Sequence, residues 1–445
     1  MSAPRGDILR AVGAITVAGP RALSRSQGWA LTVAATLTMT ISYVDRQTLA
    51  VLAPTVTRAL GISESGYGLV AAAFSLAYLV GAPLAGRWID RVGARRGLLW
   101  AVLAWTLVSA LHALVPGFGV LIGLRVALGL TESPSFPGAS QAVHRALSPA
   151  DRPRGLGVLF TGSSIGSMIA PALAVALQQR FGWRVAMHGT AVAGLAWLPV
   201  WLLVAWREPA RSVLDASHPA DPASDTVTAG EGPHRTATLS PPSIGPVWKD
   251  PALQRALVLI VCSSPVVGFN LIWPAKFLVR AHAMTQASVA SILWIPPLFF
   301  DLGAVTFGDL AARLARAPSN PRGGTHPRLM TVACALATVA AAMPFAATPL
   351  GSMLLAGVAM FGGGGVYATL TSDMLARVHP SRVSAAGGLC AAAQSLAFVI
   401  ANPLIGVGVQ RTGGYTLDLV VIGAAVVPGA VAWLAWPGVP PVREG

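Results

Sequence analysis

Two pairs of opposite charges lie inside apolar stretches of this 445-residue chain. Asp45 and Arg46 are neighbours, and Arg125 and Glu132 are seven residues apart. A charge inside a membrane is costly and usually serves a function, often on an ion or proton path. Arginine can hold a carboxylate through two parallel hydrogen bonds, and a carboxyl group can take up a proton. The four residues therefore predict a functional pocket within the membrane.

The spacing of the second pair places it on one helix face. Residues seven apart lie two turns from each other, about 10 Å along the axis. Pro134 and Pro137 follow and can free backbone groups toward a cavity. Each pair could instead be a structural ion pair, and the first could lie near the membrane surface. An arginine and an acid in two helices of the same half favour a functional site over packing.

The composition shows which solvent these helices need. Hydrophobic residues make up 54% of the chain, charged residues 11%, and the mean hydropathy is +0.64. Soluble proteins carry about 25% charged residues, so a cytosolic enzyme, a secreted disulfide scaffold and a disordered chain are excluded. The three cysteines lie in apolar stretches without metal-ligand spacing. The net charge of +14 is spread between apolar stretches, so we expect a lipid bilayer and no nucleic acid as partner.

Twelve apolar segments can be marked along the chain, each near the roughly 20 residues that cross a bilayer. They predict an all-α membrane protein with twelve transmembrane helices in two six-helix bundles. The predicted parts are a cytoplasmic tail (1–27), a first bundle (28–206), a cytoplasmic linker loop (207–250), a second bundle (251–436) and a cytoplasmic tail (437–445). Arginine clusters in alternate loops place both termini and the linker on the cytoplasmic side.

The loop after the second predicted helix has the pattern G-x-x-x-D-R-x-G-x-R-R. Its residues are Gly86, Asp90, Arg91, Gly93, Arg95 and Arg96. This pattern resembles the signature loop of the major facilitator superfamily, whose members have the predicted two-bundle fold. Gly86 would allow close helix approach and Gly93 a tight turn. Asp90 would cap a helix or pair with arginines. We expect this loop to gate the cytoplasmic side and not to bind substrate.

Further segments in both halves resemble the anion:cation symporter family, which includes hexuronate, galactonate, phthalate and sialic-acid carriers. They are Tyr43-Val44-Asp45-Arg46, Arg125 with Glu132-Ser133-Pro134, Phe181-Gly182-Trp183-Arg184, Trp273-Pro274-Ala275-Lys276-Phe277 and Phe300-Asp301-Leu302-Gly303. The resemblance implies that Arg46 and Arg125 hold the anion and that Asp45 and Glu132 accept protons. It also implies that Tyr43 and Tyr78 line the cavity.

Two positions depart from the sugar-acid members of that family. Ser164 stands where those members carry glutamine, and Gln394 begins a Gln-Ser-Leu segment where they have Gly-Asn. We also expect Trp273 to line the substrate site. A cavity with aromatic rings and few amides favours an aromatic or lightly hydroxylated carboxylate over a hexuronate. Lys276 could contact the anion or extend to the membrane surface. Asp301 could bind a proton or a cation, or make a structural hydrogen bond.

These observations predict proton-coupled symport, in the uptake direction, of a small organic anion through a bacterial inner membrane. The alternatives are a proton antiporter that exports drugs or organic anions and an organophosphate:phosphate exchanger. Gly162, Gly166 and Pro171 only partly match the antiporter motif. Motifs of hydrolases, phosphate-binding loops and zinc sites are absent from the sequence, so we expect no enzyme activity, no cofactor and no metal. We expect a monomer.

Overall fold

Apolar segments cross a membrane as helices because a helix satisfies its own backbone hydrogen bonds where water cannot. The computed structural model describes residues 23–215, 247–315, 325–378 and 383–436, and the regular elements in these ranges are all helices. The predicted C-terminal tail lies outside the described residues, as do residues 1–22 of the N-terminal tail and 216–246 of the linker.

The first half of the chain forms eight α-helices. They are α1 (Arg25–Ala59), α2 (Glu64–Val92), α3 (Ala94–Leu111), α4 (Phe118–Glu132), α5 (Ser135–Ala146), α6 (Arg152–Gly194), α7 (Trp197–Ala205) and α8 (Ala210–Asp215). The second half forms eight more. They are α9 (Pro251–Ile272), α10 (Pro274–Ala281), α11 (Gln286–Val289), α12 (Ile295–Ala315), α13 (Pro327–Thr338), α14 (Pro349–Arg377), α15 (Val383–Thr412) and α16 (Thr416–Ala435). Short 3₁₀ turns extend α3 at His112–Leu114 and α13 at Val339–Phe345.

These helices make twelve membrane crossings. Nine segments of the described chain are long and apolar enough to cross. One of them, Arg154–Ala205, has 52 residues and turns at Gly182, whose φ is +82°, so it crosses twice. The remaining crossings are α1, which carries Asp45 and Arg46 in its middle, and α4 with α5, which are separated at Ser133 and Pro134. The predicted all-α fold with twelve helices in two bundles is confirmed.

Close backbone packing fixes α1, the helix that carries the first charged pair. A Cβ atom added at Gly162 of α6 would lie 2.5 Å from the carbonyl oxygen of Thr36. A Cβ atom added at Gly166, one turn along, would lie 2.9 Å from the Cβ of Tyr43. Only glycine permits this approach, so the two helices meet directly behind Tyr43. The charged turn of α1 is thus held in a defined orientation.

The two bundles meet mainly at the end that contains the loop between α1 and α2, here called the α1–α2 end. The hydrogen bonds across it join Tyr67 to the Ile272 carbonyl, Lys276 to Thr57, Arg280 to Glu64, Gln286 to the Val51 carbonyl and the Ser65 amide to Gln410. At the opposite, α2–α3 end, the ion pairs of the described residues stay within one bundle. The described bundles are therefore closed at the α1–α2 end.

Candidate anion and proton site

Arg46 of α1 and Glu132 of α4 form an ion pair in the middle of the first bundle. Arg46 Nε donates to Glu132 Oε2 over 2.5 Å, and Ser42 Oγ donates to the same oxygen over 3.1 Å. Glu132 is fully buried, whereas 18% of the Arg46 side chain is exposed. Glu132 ends α4 because Pro134, two residues later, has no amide hydrogen to continue the helix. The break in the fourth crossing thus lies beside the carboxylate.

Aromatic rings surround the Arg46 guanidinium group. Its Cζ lies 5.0 Å from the ring centre of Tyr43, 4.9 Å from that of Phe74 and 4.6 Å from that of Tyr78. Ring faces attract a cation, and more strongly where water is excluded. The rings therefore hold the guanidinium group without neutralising it. Within the described residues, Arg46 Nη2 is buried and lacks a hydrogen-bond partner.

Arg125 shares one of these rings. Its Cζ lies 5.3 Å from the ring centre of Phe74, and its side chain is buried with 7% exposed. Arg125 makes no ion pair with any described residue, and its Nε is buried without a hydrogen-bond partner there. A buried guanidinium group without a counter-ion is unfavourable unless an anion joins it. The two predicted anion-binding arginines thus meet at Phe74, and one of them has no anionic partner.

Asp45 faces away from the Arg46 pair. It is buried, and it lines a cavity inside the first bundle together with Ser109, Thr190 and Arg125. Neighbouring residues on a helix point about 100° apart, so Asp45 and Arg46 point in different directions. The structure thus places Asp45 on a cavity that Arg125 also lines, with the Arg46–Glu132 pair beside it.

The signature loop caps the α2–α3 end. Gly93 ends α2 with a φ of +83°, a conformation that favours glycine. Arg95 is buried, pairs with Asp215 of α8 and lies 4.3 Å from the ring centre of Trp206. Asp90 accepts a hydrogen bond from Gln141 Nε2 over 3.0 Å.

The other members of the loop make fewer contacts. Arg91 and Arg96 are exposed, and a Cβ atom added at Gly86 would meet nothing within 4 Å. In the described part of the chain, Asp90 forms no ion pair with an arginine. The loop ties α2 and α3 to α8, which lies in the predicted linker.

A family model described as Major Facilitator Superfamily matches residues 35–323 of the chain. The chain belongs to this superfamily. It is therefore a multi-pass membrane transporter and not an enzyme, and the predicted superfamily is confirmed.

Similarity to known proteins extends over nearly the whole chain. A hexuronate transporter of Escherichia coli (strain K12) is 25% identical over 409 residues, which are 91% of this chain and 93% of that protein. A protein of Cupriavidus necator named as a probable sulfoacetate transporter is 24% identical over 402 residues, 88% of this chain and 90% of that one. The predicted resemblance to anion:cation symporters is confirmed by such relatives.

A solved structure shows the same superfamily fold. It is a bacterial homologue of the human lysosomal transporter Spinster in an inward-facing, unoccupied conformation. Its TM-score is 0.73 at 16% identity, and the match covers 93% of this chain and 97% of that chain.

Within this superfamily fold, two predicted site residues connect the bundles near their middle. Ser164 Oγ on α6 donates to Asp301 Oδ1 on α12 over 2.6 Å. Asp301 is partly buried, and this hydrogen bond accounts for one of its oxygens. Gln394 on α15 is partly buried and makes no hydrogen bond with the described residues. The structure thus joins Ser164 with Asp301 and leaves Gln394 by itself.

Lys276 and Trp273 lie at the closed α1–α2 end and do not contact the arginine pair. Lys276 Nζ lies 3.1 Å from Glu64 Oε2 and donates to Thr57 Oγ1 over 3.0 Å. Trp273 is fully buried, with its Nε1 donating to Asn402 Oδ1 over 2.9 Å and its ring edge-on to Tyr67 at 5.0 Å. In this state both residues contribute to contact between the bundles.

Two residues of the site were missed by the sequence analysis. Phe74 contacts both guanidinium groups, and it lies four residues before Tyr78, on the same face of α2. That helical spacing could have found it. Glu64, which pairs with Lys276 and Arg280, is an ordinary first-turn residue of α2 in the sequence. No local signal identifies it.

Proposed function

We propose that this protein takes up a small organic anion, a carboxylate, together with protons by alternating access. The observation that supports this most directly is the ion pair of partly buried Arg46 with buried Glu132, beside Arg125, which has no counter-ion among the described residues. The names of the relatives, hexuronate and sulfoacetate transporters, support an anionic substrate. Arginine suits a carboxylate because its planar group donates two parallel hydrogen bonds.

Glu132 holds the position at Arg46 that a substrate carboxylate would take. When Glu132 takes up a proton, it loses the charge that binds Arg46 Nε, and the guanidinium group can turn to an incoming anion. When the anion leaves, Glu132 releases its proton and re-forms the ion pair seen here. A buried charge is costly without a partner, so the carrier changes conformation only when the charges are balanced.

The side of the membrane that the closed α1–α2 end faces determines whether this conformation is open to the cytoplasm or to the periplasm. The arginine clusters of the sequence place the α2–α3 end in the cytoplasm and the α1–α2 end in the periplasm. The conformation is then closed to the periplasm through Tyr67, Lys276 and Arg280. We place the protein in the bacterial inner membrane with both termini cytoplasmic. In the opposite state, these contacts open and the loop that contains Asp90 closes.

Two carboxyl groups, those of Asp45 and Glu132, are available for protons in the first bundle. Two protons carried with a monoanion would move one net positive charge inward. The membrane potential then contributes about 2.3 kcal/mol for each 100 mV. Uptake should therefore respond to voltage as well as to the pH gradient.

The substrate can be narrowed by the polar groups around the cavity. Ser164 is already bonded to Asp301, and Arg46 is lined by Tyr43 and Tyr78. The surroundings of Arg46 therefore offer ring surface for an aromatic acid. One relative is named for hexuronate, which carries several hydroxyl groups, and another for sulfoacetate, which carries none. Benzoate and D-glucuronate are therefore the two probes to compare.

The coupling is tested with purified protein in vesicles that hold a weakly buffered lumen. Addition of a transported acid outside should alkalinise the external solution in the wild type. We expect no alkalinisation with Glu132→Gln, which keeps the shape of the side chain but cannot take up a proton. Uptake and alkalinisation that survive this change would remove Glu132 from the mechanism. Exchange of internal phosphate for external acid would favour an exchanger.

Binding is tested separately by thermal stabilisation of the detergent-solubilised protein. We expect a carboxylate that is transported to raise the unfolding temperature of the wild type but not of Arg125→Ala. Benzoate and D-glucuronate, applied at equal concentration, distinguish the two substrate classes. Equal stabilisation of both variants would show that the acid binds away from Arg125.

A further inference from the structure

The cavity that Asp45 lines inside the first bundle lies beside the Arg46–Glu132 pair. It lies between α1, α3, α4 and α6, and it has room for about one water molecule. Its polar lining consists of Asp45, Thr48, Ser109, His112, Arg125 and Thr190. A water molecule occupies about 30 Å³ in the liquid, and it is stable in a cavity where it finds two to four polar partners. This cavity provides such partners on every wall.

The hydrogen bonding of His112 defines what it can do there. His112 Nδ1 lies 2.9 Å from the carbonyl oxygen of Val108. Because a carbonyl oxygen only accepts, Nδ1 carries the hydrogen, and Nε2 of the neutral ring is an acceptor. His112 is buried, with 3% of the residue exposed. Its Nε2 has no hydrogen-bond partner among the described residues.

Asp45 presents the matching group to the same cavity. Its Oδ2 is also buried without a hydrogen-bond partner in the described part of the chain. Two acceptors cannot satisfy each other directly. A water molecule that donates one hydrogen to each, or a proton held between them, satisfies both. A water molecule in this cavity can therefore bridge Asp45 and His112.

We propose that His112 relays protons to Asp45 through this cavity, apart from the path of the anion. The proposal rests on the proton coupling proposed above. A proton on Nε2 passes to a bridging water, which releases another of its protons to Asp45 Oδ2. The Nε2–H bond breaks, an Asp45 O–H bond forms, and the water is regenerated. Histidine and carboxylate both become neutral, and the Nδ1–H bond to Val108 persists throughout.

The position of His112 connects the relay to the α1–α2 end. His112 is the first residue after α3, in the turn that leads to α4, and Leu114 two residues later is 73% exposed. His112 therefore lies at the α1–α2 end of α3, while Asp45 lies in the middle of α1. In the proposed orientation, this turn faces the periplasm, the side from which protons are taken up.

The charged groups around the ring come from each packed helix. Asp45 faces it from α1 and Arg125 from α4. From α6, Arg184 donates to the carbonyls of Ala113 and Val115, directly after His112. Arg125 disfavours a long-lived positive ring, because like charges repel. His112 is therefore suited to transient protonation, which a relay requires.

The first test needs no transported substrate. Infrared spectra of the reconstituted protein across pH 5 to 9 should contain a carboxyl band that Asp45→Asn removes. We expect His112→Phe to displace the pH midpoint of that band by at least half a pH unit. His112→Asn, which can still donate to Val108, should displace it as well, whereas His188→Phe, at an exposed histidine of α6, should not. An unchanged midpoint in both His112 variants would overturn the proposal.

The second test separates the relay from the proposed function. The substrate is whichever of benzoate and D-glucuronate stabilises the wild type in the binding test. Vesicles should take up this labelled acid under a pH gradient, and His112→Phe should slow the uptake at least tenfold. Counterflow of the same acid, which needs no net proton movement, should stay within twofold of the wild type. Equal loss of both would make His112 structural and overturn the relay. A wild type without gradient-driven uptake would contradict symport, and the infrared result would then decide the relay by itself.

Discussion

The two bundles have the same architecture but opposite distributions of buried charge. In the first bundle, Asp45, Arg125 and Glu132 are buried and Arg46 is partly buried, all in the middle part of the first and fourth membrane crossings. In the described part of the second bundle, buried charges lie toward the helix ends: Arg255, Asp373 and Arg377 at the α2–α3 end, and Lys276 and Asp418 at the other. Asp301, which is only partly buried, is the mid-membrane exception.

This difference indicates a division of labour. Mid-membrane charges are the costliest to maintain, so a bundle that keeps four of them has a use for them. Charges at helix ends can pair with partners near the membrane surface. There they stabilise the bundle or hold the two bundles together. We infer that the first bundle carries anion and protons, while the second provides the opposite wall and the contacts that close each end.

The largest effect should come from a matched pair of arginine substitutions. Arg46→Lys keeps the charge but loses the planar guanidinium group that donates through Nε to Glu132. Losing a hydrogen bond to a charged group costs about 1.5–3 kcal/mol, roughly 10- to 100-fold in rate. We expect uptake per folded molecule to fall by this factor. Arg255→Lys, its counterpart in the second bundle, should leave uptake per folded molecule within about twofold. Equal losses would break the comparison.

Removing a buried charge from the second bundle should affect thermal stability more than transport. Asp373 accepts from Arg255 and from Arg377, and it also holds the Thr325 amide over 3.2 Å. Removing one partner of a buried ion pair costs about 3–5 kcal/mol. We expect Asp373→Asn to lower the thermal unfolding temperature clearly while the folded fraction still transports. A folded but inactive Asp373→Asn protein would show that transport depends on second-bundle charge.

Local patterns in the sequence were sufficient for the fold and for most of the first-bundle site. Hydropathy gave the twelve crossings, and charges in apolar stretches identified Arg46 and Glu132. The separation of Asp45 from Arg46 follows from helix geometry and could have been derived as well. Arg95 pairs with Asp215, 120 residues away, and Arg280 with Glu64, 216 residues away. Such partners are set by how helices pack, which no local pattern records.

Closure at the α1–α2 end should respond to Glu64, which binds both Lys276 and Arg280. Glu64→Gln removes the charge that both cations share. A change of about 1.4 kcal/mol shifts a two-state population tenfold. Spin labels at the exposed positions 58 and 411 should show a longer-distance population that rises by about this factor. Asp309→Asn, which breaks an exposed ion pair with Arg313 inside the second bundle, serves as the control. An unchanged distance distribution in Glu64→Gln would remove Glu64 from the closure.

The smallest expected effect concerns a polar contact that joins the bundles in mid-membrane, Ser164 to Asp301. A typical hydrogen bond contributes about 0.5–1.5 kcal/mol net, so Ser164→Ala should change KM for uptake by about 2- to 10-fold. Ser163→Ala removes only a bond to the Phe160 carbonyl of the same helix and should leave KM unchanged. If Ser164→Ala instead abolishes uptake, Asp301 must be counted with the first-bundle charges. The second bundle would then take part in carrying charge, and the division drawn above would fail at this residue.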